Sequence, residues 1–248
     1  MRAAIVRSVW ARMTPLILPA GYRRIKTVNS FHELVSTPFG GGINAMCWHR
    51  ELNCDFREVV EQLVVSDGIT TLDEARLRSL SLSERGRAAI EVLIEDQRLL
   101  TEHGFAPILD CIHGYPREDE PGPVPIDVYG FHVDSATTET DTWLCTYFGP
   151  SSDLLRNDEA LRRVEIPETR AELLKLYGGK DDDAFLEYLN ENCYDLHYAP
   201  APNAQPVSFG VGNLWRIAVD YPGSPVPPCI HRAPENVPGE LPRLLLIS

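Results

Sequence analysis

The segment Ile126-Asp127-Val128-Tyr129-Gly130-Phe131-His132-Val133-Asp134 has the apolar content and spacing of a short strand, and two more such segments flank it. Pro107 to His113 precede it and Thr142 to Phe148 follow, with turn-forming residues between them. Strand character returns after a long interval at Val207 to Phe209, Leu214 to Val219, Val226 to Ile230 and Leu241 to Ile247. Tyr221 to Pro228 carry four prolines, which suits a constrained loop or an edge segment because proline cannot donate to a strand ladder. Many short strands around one excursion imply an α+β chain with a β-sandwich or barrel core and helices packed outside it.

The helices are read from spacing. Phe56, Val59, Val60, Leu63 and Val64 recur at helical intervals, as do Ala88, Ile90, Val92, Leu93, Leu99 and Leu100. Ser81 or Ser83 can cap the second of these helices, and Gly104 can end it. The first 104 residues are therefore expected to be mainly helical and to pack on a core formed by residues 105–248, all within a single domain. A helical insertion is expected at about 153–198. Pro167 opens one of its helices, Gly178-Gly179 stops it, and Asp181 to Asp183 start the next, where acids complement the helix dipole.

Composition narrows the function. The chain has 248 residues, 44% of them hydrophobic, enough for a substantial core. Its net charge of -13 repels phosphate backbones, so nucleic acid is a poor partner. The basic start, Met1 to Arg7, is broken by Arg7 and Arg12 and does not read as a signal peptide. No run is long enough to cross a bilayer, and a cytoplasmic location is the default expectation. The six cysteines form no Cys-x-x-Cys pair and are expected to be mainly small buried side chains. Gly40-Gly41-Gly42 lack the Lys-Ser or Lys-Thr of a phosphate loop, and no Gly-x-Ser-x-Gly elbow is present.

Alternation puts His132 and Asp134 on one face of their strand, because residues two apart point the same way. Imidazole and carboxylate there make two ligands of a two-histidine, one-carboxylate metal site. His231, at the end of an apolar strand, is the best candidate for the third. A structural role stays open for each: His132 as a core or edge histidine, Asp134 as the cap of the turn Ser135-Ala136-Thr137. Arg243 lies within the final apolar run and needs an anionic partner if buried. Glu240, Asp220 or solvent could meet that need. Arg232 faces away from His231 and reads as a brace. His49 and His113 could line a pocket but read first as structural or surface residues, Tyr147 is either core or within reach of the site, and Trp48, Trp143 and Trp215 read as core.

The order Phe131-His132-Val133-Asp134, then His231, then Arg243 resembles the iron(II)- and 2-oxoglutarate-dependent oxygenases. The resemblance implies a double-stranded β-helix (jelly-roll, cupin-like) core, with iron at His132, Asp134 and His231. It further implies a salt bridge from Arg243 to 2-oxoglutarate, with Thr146 within reach of that co-substrate. The expected activity is dioxygenase oxidation, foremost hydroxylation, of a small-molecule substrate with O2. The carboxylate at Asp134 argues against the related halogenases. A non-catalytic metal-binding or regulatory jelly-roll protein, and a cupin-like metalloenzyme without 2-oxoglutarate, are the alternatives. Homo-oligomer formation is left open.

A second resemblance spans more of the chain. Ile43 to Arg50, Phe131 to Asp134, Leu144 to Pro150, Gly212 to Trp215 and His231 to Pro234 are similar to motifs of a family of uncharacterised bacterial proteins. That pattern runs His-Val-Asp, Thr-Tyr-x-Gly-Pro, Gly-x-x-Trp and His-Arg-Ser-Pro, and Ala233 stands here in place of its serine.

Overall fold

The computed structural model describes residues 16–63, 65, 68–117, 122–235 and 239–248. The basic start with Arg7 and Arg12, and Val64 of the first helical pattern, lie outside them.

The first part of the chain runs β1 (Ile25–Val28), α1 (Phe31–Ser36), β2 (Ala45–Trp48), α2 (Phe56–Gln62), β3 (Ile69–Thr71), α3 (Glu74–Arg78) and α4 (Glu84–Glu102). There follow β4 (Ile108–Ile112), β5 (Phe131–His132), β6 (Asp141–Phe148), β7 (Asp153–Leu155) and β8 (Ala160–Arg162). The chain then continues through α5 (Pro167–Tyr177), α6 (Asp183–Glu191), β9 (His197–Pro200), β10 (Val207–Ser208), β11 (Leu214–Ala218), β12 (Ile230–Arg232) and β13 (Arg243–Ile247).

The strands form a seven-stranded sheet, β1-β2-β11-β6-β13-β4-β3, and a curled six-stranded sheet, β10-β7-β12-β5-β9-β8. All pairs are antiparallel except β1 with β2. The successive strands β4, β5, β6 and β7 alternate between the sheets, and β10, β11, β12 and β13 do so again. This is a jelly-roll-like arrangement in a mixed α+β chain.

Period-two alternation sorts the side chains into layers. From β6, Trp143, Cys145 and Tyr147 pack with the helices, while Leu144 faces the other way. From β13, Leu244 and Leu246 join the helical layer and Leu245 joins the layer between the sheets. That inner layer also holds Leu154 of β7 and Val207 of β10, so it is where the two sheets meet. The helices of the insertion have their own small core of Val124, Val164, Leu173, Phe185 and Leu189.

Several expectations shift in detail. Ladder pairing between Ile126 and Asp134 is confined to Phe131 and His132, because Asp127 accepts the amides of Tyr129 and Gly130 and bends the chain into a turn. The strand read at Val226 to Ile230 instead runs from Ile230 to Arg232, after Pro227 and Pro228, which have no N–H to give. The N-terminal part supplies three strands as well as helices. Cys47, Cys111, Cys145 and Cys229 are buried, Cys54 is partly so and Cys193 is exposed, and all six are free thiols.

Ser83, rather than Ser81, caps α4, accepting the amide of Gly86 at 3.2 Å and donating to Glu58. Ser83→Ala should lower the unfolding free energy by about 1 kcal/mol, measurable by urea titration.

Two sequence motifs serve as braces for the sheet. Arg50 makes a two-pronged ion pair with buried Asp96 of α4, at 2.7 and 2.8 Å, and donates from Nε to the carbonyl of Gly212. The Tyr147 hydroxyl donates to the same carboxylate at 2.6 Å, and His49 Nδ1 meets Asn213 Oδ1 at 2.8 Å. The Trp-His-Arg and Gly-x-x-Trp segments thus tie α4 and the seven-stranded sheet together.

Candidate metal centre

His132 and His231 are direct partners across the β5–β12 ladder, so both rings project from the same face of the curled sheet. Leu154 is the next partner of His231 and belongs to the inter-sheet core, so that face looks into the space between the sheets. The two rings have centroids 4.6 Å apart. Asp134 follows β5 by two residues, and its backbone carbonyl accepts the amide of Asp220, two residues beyond β11. One ligand atom from each of His132, Asp134 and His231 lies within 4.8 Å of the others, a cluster capable of holding a metal ion.

Each ligand is held from behind. His132 Nδ1 meets the carbonyl of Gly130 at 2.8 Å, and His231 Nδ1 meets that of Cys229 at 3.3 Å. These contacts leave each Nε2 to face the cluster, and His231 Nε2 lies 3.8 Å from Asp134 Oδ2. Thr142 donates from its hydroxyl to the same carboxylate oxygen at 2.5 Å. Backing interactions of this kind set ring orientation and ligand basicity in metal sites. Thr142→Val should therefore weaken metal binding by about tenfold, read from anaerobic titration, while the histidines stay in place.

The electrostatics favour ligand forms at neutral pH. Burial, then the neighbouring His231, pushes the His132 pKa below its ordinary value, so its imidazole is neutral. Burial pushes the Asp134 carboxyl upward, but His231, the Thr142 hydroxyl and His132 outweigh it, and its pKa falls below the ordinary value. A neutral imidazole beside a carboxylate suits a first-row divalent cation.

Arg243 is 5% exposed and lies on the inter-sheet side of β13, as Leu245 does. Its Nη2 donates to the hydroxyls of Thr146 and Ser152, both at 2.8 Å, and Nη1 reaches the Tyr115 hydroxyl at 3.4 Å. No carboxylate pairs with it among the described residues, and its buried Nε has no acceptor. Glu240 lines the same cleft, with Ile112, His113, Tyr115 and Leu241, without forming an ion pair. Asp220 is likewise no partner. Gly149, with φ of +84°, makes this arrangement possible, since a Cβ there would lie 3.1 Å from Arg243 Cα. The Thr146-to-Pro150 segment thereby supplies one hydroxyl and the close turn that leads to Ser152. Arg232 braces the curled sheet as expected, pairing with Asp153 at 2.9 Å over the ring of Phe131.

Sequence reasoning did not find Thr142, Ser152, Tyr115 or His197. His197 is the partner of His132 on its other side, in β9, with ring centroids 5.8 Å apart. Burial first, then His132 and Arg163, lowers its pKa to about 4. Nothing in the local pattern around Tyr194 to Pro200 signals this position, because the return of the insertion to the sheet creates it.

Among the described residues, no helix is long and apolar enough to cross a membrane. No protein-family model, no curated protein and no solved structure matches the chain, so its likeness to metal-binding jelly rolls rests on the triad and the strand order alone.

Proposed function

We propose that this protein is an oxygenase that uses iron(II), O2 and 2-oxoglutarate to hydroxylate a small organic molecule. The observation that carries the reading is the buried Arg243, which has hydroxyl neighbours and no carboxylate partner among the described residues and lies on the inter-sheet face of a protein whose other sheet presents the triad to that space. A guanidinium in such a place is costly unless an anion meets it, and its planar fork matches a carboxylate. On this reading β4 to β7 and β10 to β13 make a double-stranded β-helix, and the N-terminal helices and the insertion belong to the same domain.

The metal fits its ligands: two histidines have their Nδ1 atoms engaged and a carboxylate is steadied by a hydroxyl, three groups that leave coordination positions open. His132, Asp134 and His231 would hold iron(II), which supplies activation of O2, one oxygen entering the substrate and the other the succinate formed as 2-oxoglutarate loses CO2. The protein contributes position and charge. Arg243 binds the far carboxylate of 2-oxoglutarate through charge-assisted hydrogen bonds, and the free Nε adds a donor. The Thr146 and Ser152 hydroxyls hold the guanidinium in the fork orientation. Leu154, Val207, Trp215 and Leu245 make the apolar surroundings of that space and exclude water.

The deciding experiment is anaerobic titration with iron(II) and then 2-oxoglutarate. The expected result is a visible charge-transfer band that needs both. A protein that binds iron(II) yet develops no such band would return the site to the cupin-like reading without 2-oxoglutarate.

A further inference from the structure

The triad is the middle of a longer row. Leu154, His231, His132 and His197 are successive cross-strand partners over β7, β12, β5 and β9, so all four project from one face. His197 does not belong to the group whose ligand atoms converge. It is 5% exposed, and its buried Nδ1 has no hydrogen-bond partner among the described residues. A buried ring nitrogen left without a partner is costly, and a polar ligand beside it would offset that cost.

Beyond the end of the row, the segment beside His197 carries a cation whose charge acts on it. β8 pairs with β9 as far as Arg162 opposite Tyr198, and Arg163 then opens a short 3-10 turn, Arg163–Glu165, that packs against β9. The neighbouring arginines are engaged: Arg162 with Asp195, donating to its carbonyl at 2.9 Å, and Arg170 with Asp181. Arg163 is half-buried, and its side chain has neither an ion pair nor a hydrogen bond among the described residues. Two acids also bear on His197: Asp127 Oδ1 accepts the amides of Tyr129 and Gly130 at 3.0 and 3.2 Å, and Asp195 Oδ2 lies 3.7 Å from Arg162 Nη2, while its buried Oδ1 has no hydrogen-bond partner among the described residues.

We propose that His197 and Arg163 form the substrate subsite of the metal centre, and that the substrate is a small organic anion whose acid group they hold. This rests on the oxygenase reading for the reaction, but not for the binding. The guanidinium of Arg163 supplies the charge and His197 an imidazole N–H, while the rest of the molecule lies along the row toward His132 and His231. The insertion is therefore the element that selects the substrate, because both residues come from it and from its return strand.

The probes are benzoate and phenylphosphonate, with benzamide as the uncharged control, titrated into the full-length manganese(II)-loaded protein without 2-oxoglutarate. Proton relaxation of the probe by the metal reports binding beside it. Both anions should be relaxed and benzamide should not. Arg163→Met and His197→Phe should each weaken the anions about tenfold, the cost of one lost charged hydrogen bond. Manganese(II) affinity measured in each variant separates lost metal from lost probe. Arg163 is half-buried and its side chain forms no ion pair or hydrogen bond among the described residues, so its variant keeps the test open even where His197→Phe fails to fold. The proposal is overturned if neither anion is relaxed, if benzamide binds as well, if Arg163→Met binds the anions as the parent does, or if Arg243→Leu alone loses them. Failure of the oxygenase reading shows elsewhere, in the 2-oxoglutarate titration, where Arg163→Met has no effect.

Discussion

Asp134→Ala lowers iron(II) affinity by at least about a hundredfold and leaves the metal-free protein folded. Losing a residue that only backs a ligand already costs 10- to about 100-fold, and Asp134 is the anionic member of the cluster itself. The two histidines that remain offer neutral nitrogens and no charge to offset that of the cation. The folded state loses little, because the Asp134 side chain is about one-third exposed and its side-chain hydrogen bond is to Thr142. That bond contributes roughly 1 kcal/mol. Isothermal titration under anaerobic conditions and a thermal melt of the metal-free protein measure the two effects separately. Undiminished iron(II) binding in this variant would remove Asp134 from the centre.

Arg243→Leu is expected to weaken co-substrate binding and to leave stability nearly unchanged. Loss of a charged hydrogen-bond partner costs ~1.5–3 kcal/mol, a fall in 2-oxoglutarate affinity of about one to two orders of magnitude. The same change replaces a buried guanidinium that pairs with no carboxylate among the described residues with an apolar side chain facing the layer of Leu245 and Trp215. Removing an unpaired buried charge is favourable, and the buried Thr146 and Ser152 hydroxyls left without their donor offset that gain. The metal-free variant should therefore melt close to the parent, with iron(II) affinity unchanged. An arginine kept for folding would instead lower the melting temperature and leave 2-oxoglutarate binding alone. Arg243→Lys should recover part of the affinity, since it restores the charge without the fork. If the leucine variant bound 2-oxoglutarate as tightly as the parent, the co-substrate reading would fail while the metal centre stood.

Local pattern was enough for what depends on near neighbours. The helices from Pro167 and after Ser83, and the strand from Asp141 to Phe148, follow from spacing, capping and turn residues, whose energetics act over a few positions. The common side of His132 and Asp134 is legible for the same reason, because strand alternation repeats every two residues. The inward position of Arg243 beside Leu245 was readable once its strand was assumed. Even the alternatives for its partner could be named, though not resolved.

Only the tertiary structure decided which distant residues meet. His231 stands opposite His132, rather than one residue out of step, because the β5–β12 ladder sets that register, and a slip of one position would turn the ring to the outer layer. The prolines before Ile230 and the turn at Asp127 fix where those short strands begin, which periodicity over four or five residues cannot resolve. His197 and Arg163 were hidden for a stronger reason. Their place beside the triad comes from β8 and β9 extending the curled sheet past β5, a pairing between segments whose own patterns say nothing of a metal. Side-chain alternation is a property of one strand, whereas convergence is a property of the ladder that joins several.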